Sequence, residues 1–381
     1  MDSYNDLKQE LSKINSDLAG LAEKGASVPG ATKSALNEWR HSCQKLQHQL
    51  SEDTLRIAVV GTIKSGKSTF MNSLLGGDYL KRGAGVVTSI VTRIHHGSHP
   101  AARMLFKSWS EINIELTQAL MLMPSAQNLV AHNNFDIRDI KTRESIEELL
   151  DNLPLDQLIS QGIRNLNTVL IANYLNGYGR VIDILDEENV FKDFENDRFF
   201  DHWEYVGNDS LAVYLKDLLI ELNSNSIDSF TELADCQGSD SPNPLHLAMI
   251  QDYLQGAHLI IYVVSSRTGL READIKFLSI IRKMGLSSSV QLVINADISE
   301  HDSINDLHKL IESIKSELAL IIPDPQCYTF SALLHLFDTL ENRLSKKDRL
   351  RLNQWNQQAE LADFSRIEYQ RFQQHLRQRI V

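Results

Sequence analysis

The sequence predicts an α/β protein with a mostly parallel central sheet, helices on both of its faces, a helical insertion, and helical segments at both ends. Three observations predict this fold class. Short apolar runs alternate with helical stretches from about residue 54 to residue 340, the alternation stops between residues 107 and 216, and the apolar spacing at both ends is helical. Hydrophobic residues make up 42% of the 381 residues and charged residues 23%, so the chain can bury a core.

The two ends of the chain carry apolar residues every three or four positions. This spacing covers residues 4–24 and 36–50, and the segment from Gly25 to Gly30, which includes Pro29, interrupts it. We therefore expect residues 1–53 to form a helical hairpin. Residues 341–381 carry a similar stripe, and we expect them to pack with the hairpin, because its apolar face needs a partner.

The central region, residues 54–340, predicts eight strands and four helices. The expected strands are short apolar runs at 55–60, 89–94, 101–106, 217–222, 230–234, 258–264, 290–295 and 327–331. The expected helices lie at about 69–76, 243–255, 270–284 and 303–319. Residues 107–216 are predicted to be mainly helical and to form an insertion, in which the acidic residues are more typical of a solvated face than of a cation site.

Composition excludes several classes of protein. The chain has 38 basic and 50 acidic residues, a formal charge of −12, and no long basic block, which argues against a nucleic-acid partner. Its three cysteines, Cys43, Cys236 and Cys327, lack metal-ligand spacing. The sequence contains neither an apolar run long enough to span a membrane nor a secretory signal, so a cytoplasmic location is expected.

The most specific motif is Gly61-Thr-Ile-Lys-Ser-Gly-Lys-Ser-Thr69, which matches the phosphate-binding loop GxxxxGK[ST]. It follows a predicted strand and precedes a predicted helix, as such a loop must. Lys67 would neutralise phosphate charge, and the Ser68 hydroxyl would bind Mg²⁺. The nucleotide contacts predicted from this motif are Gly61, Ile63, Lys64, Ser65, Gly66, Lys67, Ser68 and Thr69.

Two downstream features indicate a switch that senses a γ-phosphate. Thr88 ends a glycine-containing loop just before a predicted strand, where its hydroxyl could complete the Mg²⁺ shell. Asp235-Cys-Gln-Gly238 matches DxxG after another predicted strand. Asp235 would hold Mg²⁺ through water, and the Gly238 N–H would contact the γ-phosphate. The expected metal residues are therefore Ser68, Thr88 and Asp235.

Base recognition is predicted at the end of the run 291–297. Asp297 could accept both N–H groups on the Watson–Crick edge of guanine, in the place of the aspartate of an (N/T)KxD motif. The tetrapeptide reads Ile-Asn-Ala-Asp, so Asn295 stands where the usual lysine packs on the base. Ser331 and Ala332 fit a second base loop, in which a backbone N–H reaches the guanine O6.

These motifs, in this order over residues 54–335, resemble the dynamin superfamily of large GTPases, particularly its bacterial members. The resemblance implies a GTPase domain with a phosphate-binding loop, Mg²⁺ as cofactor, and GTP and GDP as ligands. It also implies that residues 1–53 and 341–381 form a neck bundle. A long stalk and a membrane-binding tip have no counterpart in this sequence. Family members can associate with membranes, but this chain offers no sequence support for it.

Family catalysis uses pairing of GTPase domains and a positive charge supplied in cis, so the resemblance implies a homodimer or heterodimer through these domains. In related guanylate-binding proteins and atlastins, an arginine that serves as an internal finger occupies the position of Lys64. We therefore hypothesise that Lys64 stabilises charge on the phosphates. The expected catalytic residues are Lys64, Lys67 and Thr88, and no side chain stands out as a general base.

Two alternatives to a Mg²⁺-dependent GTPase remain open at this point. The altered base motif is compatible with a nucleotide-dependent scaffold or switch that binds GTP with negligible turnover. An ATPase built on the same phosphate loop is the third reading, and the order of motifs disfavours it. Competition between GTP and ATP separates the ATPase from the other two, and multiple-turnover hydrolysis separates the GTPase from the scaffold.

Overall fold

The computed structural model describes residues 2–26, 33–51, 54–82, 90–123, 126, 135–153, 159–160, 163–164, 166–224, 228–236 and 244–380. Its contacts divide the chain into two compact units, Met1–Leu55 and Arg56–Val381. In the part of the chain that the structure describes, no helix is both long enough and apolar enough to cross a membrane.

The first unit is a helical hairpin. Its helices are α1 (Asp2–Ala26) and α2 (Lys33–Ser51). The buried side chain of Asn15 joins them, because its Nδ2 donates to the Cys43 carbonyl at 2.8 Å and to Gln47 Oε1 at 3.1 Å. Packing of this hairpin with residues 341–381 stays a prediction.

The second unit is built on a nine-stranded sheet, which confirms the predicted α/β class. The strands of the sheet are β1 (Leu55–Val60), β2 (Val91–His96), β3 (Ala101–Phe106), β6 (Phe191–Glu195), β7 (Leu215–Leu222), β8 (Thr231–Cys236), β9 (Leu259–Ser265), β10 (Val290–Asn295) and β11 (Cys327–Phe330). Their spatial order is β11-β10-β9-β1-β8-β2-β7-β3-β6. A separate two-stranded hairpin consists of β4 (Ile159–Ser160) and β5 (Ile163–Arg164).

In spatial order, the half of the sheet that contains β11, β10, β9 and β1 is parallel, and the other half is mixed. Strands β1, β9, β10 and β11 pair in parallel, and so do β2 and β7. Antiparallel pairs join β2 to β8, β3 to β7 and β3 to β6. In β8, β9 and β10 nearly every residue is buried, because helices cover both faces of this half of the sheet.

The helices of this unit fall into three groups. The phosphate-loop helix is α3 (Lys67–Leu75). The insertion contains α4 (Trp109–Met121), α5 (Ile140–Asp151), α6 (Leu166–Val181), α7 (Trp203–Val206) and α8 (Asp209–Ala212). The remaining helices are α9 (Pro244–Gln255), α10 (Glu272–Lys283), α11 (Ile304–Ala319), α12 (Ala332–Thr339), α13 (Lys346–Gln357) and α14 (Ala359–Ile380).

The insertion is helical for the most part, but it also contributes β6 to the edge of the main sheet. Its helices meet at a buried polar contact, where the Tyr174 hydroxyl donates to Glu115 at 2.6 Å and lies 2.9 Å from the Val213 carbonyl. The Lys107 ammonium reaches the same carboxylate. These hydrogen bonds compensate the charge of the Glu115 carboxylate, which would otherwise be costly to bury.

The C-terminal helices belong to the second unit. The rings of Tyr369 and Phe372 on α14 pack on Phe330 of β11, with centroids 5.0 and 5.4 Å away. The Tyr369 hydroxyl donates to the Ser73 carbonyl of α3 at 2.9 Å. Helix α14 therefore supports the end of the sheet and the phosphate-loop helix at once.

Candidate functional site

The phosphate loop connects β1 to α3 and needs glycine at both of its ends. Gly61 has φ +148°, and a Cβ there would lie 2.3 Å from the Val263 carbonyl oxygen of β9. Gly66 has φ +91°, and a Cβ there would lie 2.1 Å from Asn295 Nδ2. Both glycines therefore permit close approach as well as a left-handed backbone. This is the physical reason for the two glycines of the motif.

The loop is held by its own lysine. The buried Lys67 ammonium donates to the carbonyls of Gly61 at 2.6 Å and Thr62 at 3.0 Å. Lys64, at the top of the loop, is exposed and has φ +64°. A left-handed backbone costs a non-glycine residue about 1–2 kcal/mol, so surrounding contacts must hold Lys64 in place.

Two predicted metal residues meet in the structure. Ser68 Oγ at the start of α3 donates to Asp235 Oδ2 at the end of β8, over 2.9 Å, although 167 residues separate them in sequence. A hydroxyl and a carboxylate side by side suit Mg²⁺, which prefers oxygen ligands. No cluster of three or more His, Cys, Asp or Glu side chains fit to hold a metal occurs among the described residues. The oxygen pair therefore fits a cation held jointly with phosphate and water.

The two switch residues, Thr88 and Gly238, lie outside the described residues. Their predicted roles remain predictions. Cys236, between Asp235 and Gly238, is fully buried, and burial raises the pKa of its thiol well above the ordinary value. The thiol therefore stays protonated at neutral pH, which agrees with a packing role for Cys236.

Asn295 connects the phosphate loop to the second base loop. Its Nδ2 donates to the Ser65 carbonyl at 3.1 Å, and its Oδ1 accepts the Ala332 N–H at 3.1 Å. The predicted Asn295 thus braces two loops. The Ser331 N–H is also engaged, because it donates to Ser365 Oγ at 2.8 Å. Contact of a backbone N–H of this loop with a guanine O6 stays a prediction.

Asp297 lies in the same pocket as the phosphate loop. Six predicted residues line this pocket: Lys64, Ser65, Thr69, Asn295, Asp297 and Ser331. The carboxylate of Asp297 accepts the Ser299 N–H at 3.1 Å. Two guanidinium groups approach it without reaching hydrogen-bond distance, Arg351 at 3.7 Å and Arg267 at 4.0 Å. The carboxylate therefore keeps capacity to accept hydrogen bonds from a ligand.

Three residues at the site lie outside the sequence motifs and were not predicted. Arg267, after β9, and Trp355, on α13, line the pocket beside Asp297. Arg271, just before α10, donates from its Nη2 to the Ile63 carbonyl of the phosphate loop at 3.0 Å. None of them lies in a recognisable pattern. The sequence offered a signal only for the two arginines, because they follow a buried strand that ends at the same edge of the sheet as the phosphate loop.

The chain is similar in sequence to several known proteins. The curated relatives include the isoniazid-induced protein IniC of Mycobacterium tuberculosis, which is 32% identical over 104 residues, or 27% of this chain and 20% of that protein. Dynamin-like protein A of Bacillus subtilis is 21% identical over 312 residues, which is 78% of this chain and 24% of that protein. The matches thus span a fifth to a quarter of the length of these relatives.

Solved structures of bacterial dynamins also resemble the chain. One of an oligomerised bacterial dynamin pair has a TM-score of 0.49 at 17% identity and covers 98% of this chain and 46% of its own. The bacterial dynamin GTPase LeoA from ETEC has a TM-score of 0.32 at 12% identity and covers 96% and 46%. Both scores are below 0.5, so the assignment depends on the family model. That model, of the dynamin family, matches residues 57–297, more than half of the chain, and the chain therefore belongs to the dynamin family.

Proposed function

We propose that the chain binds GTP with Mg²⁺ and hydrolyses it to GDP and phosphate. The observation that carries the proposal is the contact of Ser68 with Asp235 beside the phosphate loop. It joins two motifs that are far apart in sequence at the place where a cation between protein and phosphates belongs. Asp297 in the same pocket supports guanine as the base.

Each residue of the site has a distinct part in the proposal. The Lys67 ammonium and the loop N–H groups would stabilise phosphate charge, and the Ser68 hydroxyl and the Asp235 carboxylate would hold Mg²⁺. Bound Mg²⁺ would neutralise charge that develops on the β- and γ-phosphate oxygens. Thr88 is proposed to complete the Mg²⁺ shell and to hold the attacking water, and Gly238 to contact the γ-phosphate. Positioning then supplies most of the rate enhancement.

Hydrolysis is proposed to depend on pairing of two GTPase domains, as the family resemblance implies. We further propose that residues 1–53 and 341–381 form a neck bundle and that the protein acts in the cytoplasm. A scaffold that binds GTP with negligible turnover is the second candidate, and the observation that favours it is the altered base motif, in which Ile294 and Asn295 replace the usual Asn or Thr and the usual Lys.

The proposal is tested by GTP hydrolysis with Mg²⁺ across a range of protein concentrations, with ATP as competitor and Lys67→Ala as the blank. We expect turnover per molecule to rise with protein concentration and ATP not to compete. Binding without hydrolysis at every concentration would favour the scaffold. If ATP competed as well as GTP does, the proposal that Asp297 recognises guanine would be wrong.

Lys64 supplies a more specific prediction. Its exposed side chain extends from the top of the loop into the pocket, where it could stabilise charge in the transition state. Replacing Lys64 with alanine should lower kcat by about ten-fold to a hundred-fold and leave GDP affinity nearly unchanged. Single-turnover hydrolysis and fluorescent-GDP titration measure the two quantities. Unchanged kcat would show that Lys64 is only a solvated lysine.

A further inference from the structure

Arg271 makes a contact that the proposed reaction does not use. It lies just before α10, 208 residues from the phosphate loop in sequence, and its Nη2 donates to the Ile63 carbonyl at 3.0 Å. The next residue, Lys64, has the left-handed φ of +64°. The contact therefore falls on the peptide group that immediately precedes the left-handed residue Lys64.

The geometry of a peptide group gives this contact a consequence. In a trans peptide the C=O and the following N–H point in opposite directions. When Arg271 holds the Ile63 carbonyl on one side of the loop, the Lys64 N–H is directed to the other side. Successive N–H groups around a left-handed residue form a concave anion-binding nest. The direction of this one N–H thus determines whether the nest is complete.

Arg271 is itself held by buried groups. Its Nε lies 3.6 Å from Asp274 Oδ2, and the same carboxylate accepts the Arg271 N–H at 2.9 Å. Asp274 is 1% exposed, and its other oxygen accepts the Tyr262 hydroxyl of β9 at 2.9 Å. A continuous set of hydrogen bonds and one ion pair therefore joins the core of the sheet to the phosphate loop.

Three other carbonyls of the loop also accept hydrogen bonds from side chains. Lys67 holds those of Gly61 and Thr62, and Asn295 holds that of Ser65. Together with Arg271, these side chains occupy four loop carbonyls from three different parts of the chain. Among these side chains, Arg271 binds the carbonyl that immediately precedes the strained residue Lys64.

We propose that Arg271 is a positioning residue that aims the Lys64 N–H at the phosphates of the nucleotide. The proposal rests on the proposed GTP site but not on hydrolysis, because a phosphate nest binds GDP as well as GTP. Loss of the guanidinium should let the Ile63–Lys64 peptide rotate, since a left-handed lysine relaxes once its clamp is removed. Nucleotide affinity should then fall, while the rest of the pocket stays intact.

The first test is titration of the full chain with fluorescent GDP and Mg²⁺. We expect Arg271→Ala to raise the dissociation constant by about ten-fold to a hundred-fold, the usual effect of losing a hydrogen bond to a charged group. Lys276→Ala is the matched control, because Lys276 is an exposed cation on α10, the helix that follows Arg271, and this variant should bind GDP as the wild type does. Arg271→Lys keeps a cationic donor and should lose less affinity than Arg271→Ala.

The second test separates positioning from direct contact with the nucleotide. Glycine adopts a left-handed backbone without strain, so in a Lys64→Gly background the Arg271→Ala change should weaken GDP binding by no more than about three-fold. Equal losses in both backgrounds would mean that Arg271 does not act through the Lys64 backbone, and wild-type affinity of Arg271→Ala would likewise overturn the proposal. A wild-type chain that binds neither GDP nor GTP would instead refute the proposed function, and this proposal with it.

Discussion

At the scale of single residues, the site shows how a recognisable motif can differ from its usual form. The usual pattern has Asn or Thr three positions before its aspartate and Lys two positions before it, whereas Ile294 and Asn295 stand at these positions. Asn295 ends β10 and braces two loops, a role that depends on contacts to Ser65 and Ala332. The sequence predicted both residues near the base, but the contacts by which Asn295 joins the two loops could be found only in the structure.

Asp297 gives the prediction that belongs to this scale. Guanine presents two donors to a carboxylate, whereas xanthine carries an oxygen in place of the amino group. An asparagine amide, with one donor and one acceptor, suits xanthine. Asp297→Asn should therefore weaken GTP binding about ten-fold to a hundred-fold and strengthen XTP binding. Competition of fluorescent GDP with GTP and XTP measures this, with Glu300→Gln as the neighbouring control. An unchanged preference for GTP over XTP would place base recognition elsewhere.

At the scale of elements, apolar periodicity predicted the buried strands well and the exposed edge poorly. The predictions for 55–60, 101–106 and 290–295 coincide with β1, β3 and β10. Strand β6 was missed, because only Phe194 of its five residues is buried and the sequence therefore shows no apolar run. The strand forms because it pairs with β3. The pocket residues Arg267 and Trp355 were missed for a similar reason, since tertiary packing alone brings them to Asp297.

The turn after α3 gives a prediction for an element. Asn72 is fully buried; its Nδ2 donates to Asp78 and to the Leu80 carbonyl, and its Oδ1 accepts the N–H groups of Tyr79 and Leu80. Asn72→Ala leaves buried backbone groups unpaired and should lower the free energy of unfolding by about 2–4 kcal/mol. Urea denaturation measures it. The matched control is Ser73→Ala, which loses one hydrogen bond within its own helix. Equal effects of the two changes would contradict a special role for Asn72.

At the scale of the whole molecule, the C-terminal helix is part of the folded core around the candidate nucleotide site. His335 of α12 stacks on Tyr369 of α14, with ring centroids 4.0 Å apart, and its Nε2 lies 3.1 Å from the Ser365 carbonyl. Burial lowers the pKa of His335 to about 4, while nearby Asp338 acts in the opposite direction. The folded state therefore favours the neutral imidazole.

This burial predicts how stability depends on pH. Because the pKa of His335 is about 4 in the folded state and near 6.5 when unfolded, the unfolded chain binds the proton first as pH falls. His335 should therefore lower the free energy of unfolding by about 3 kcal/mol between pH 6.5 and pH 4. His335→Gln keeps a donor for the Ser365 carbonyl but cannot be protonated, so its urea midpoint should fall less steeply over this range. His96→Gln should follow the wild type, because His96 lies at an exposed position outside the contact between α12 and α14. Parallel curves for wild type and His335→Gln would mean that the charged imidazole is tolerated between α12 and α14, and that acid weakens the molecule elsewhere.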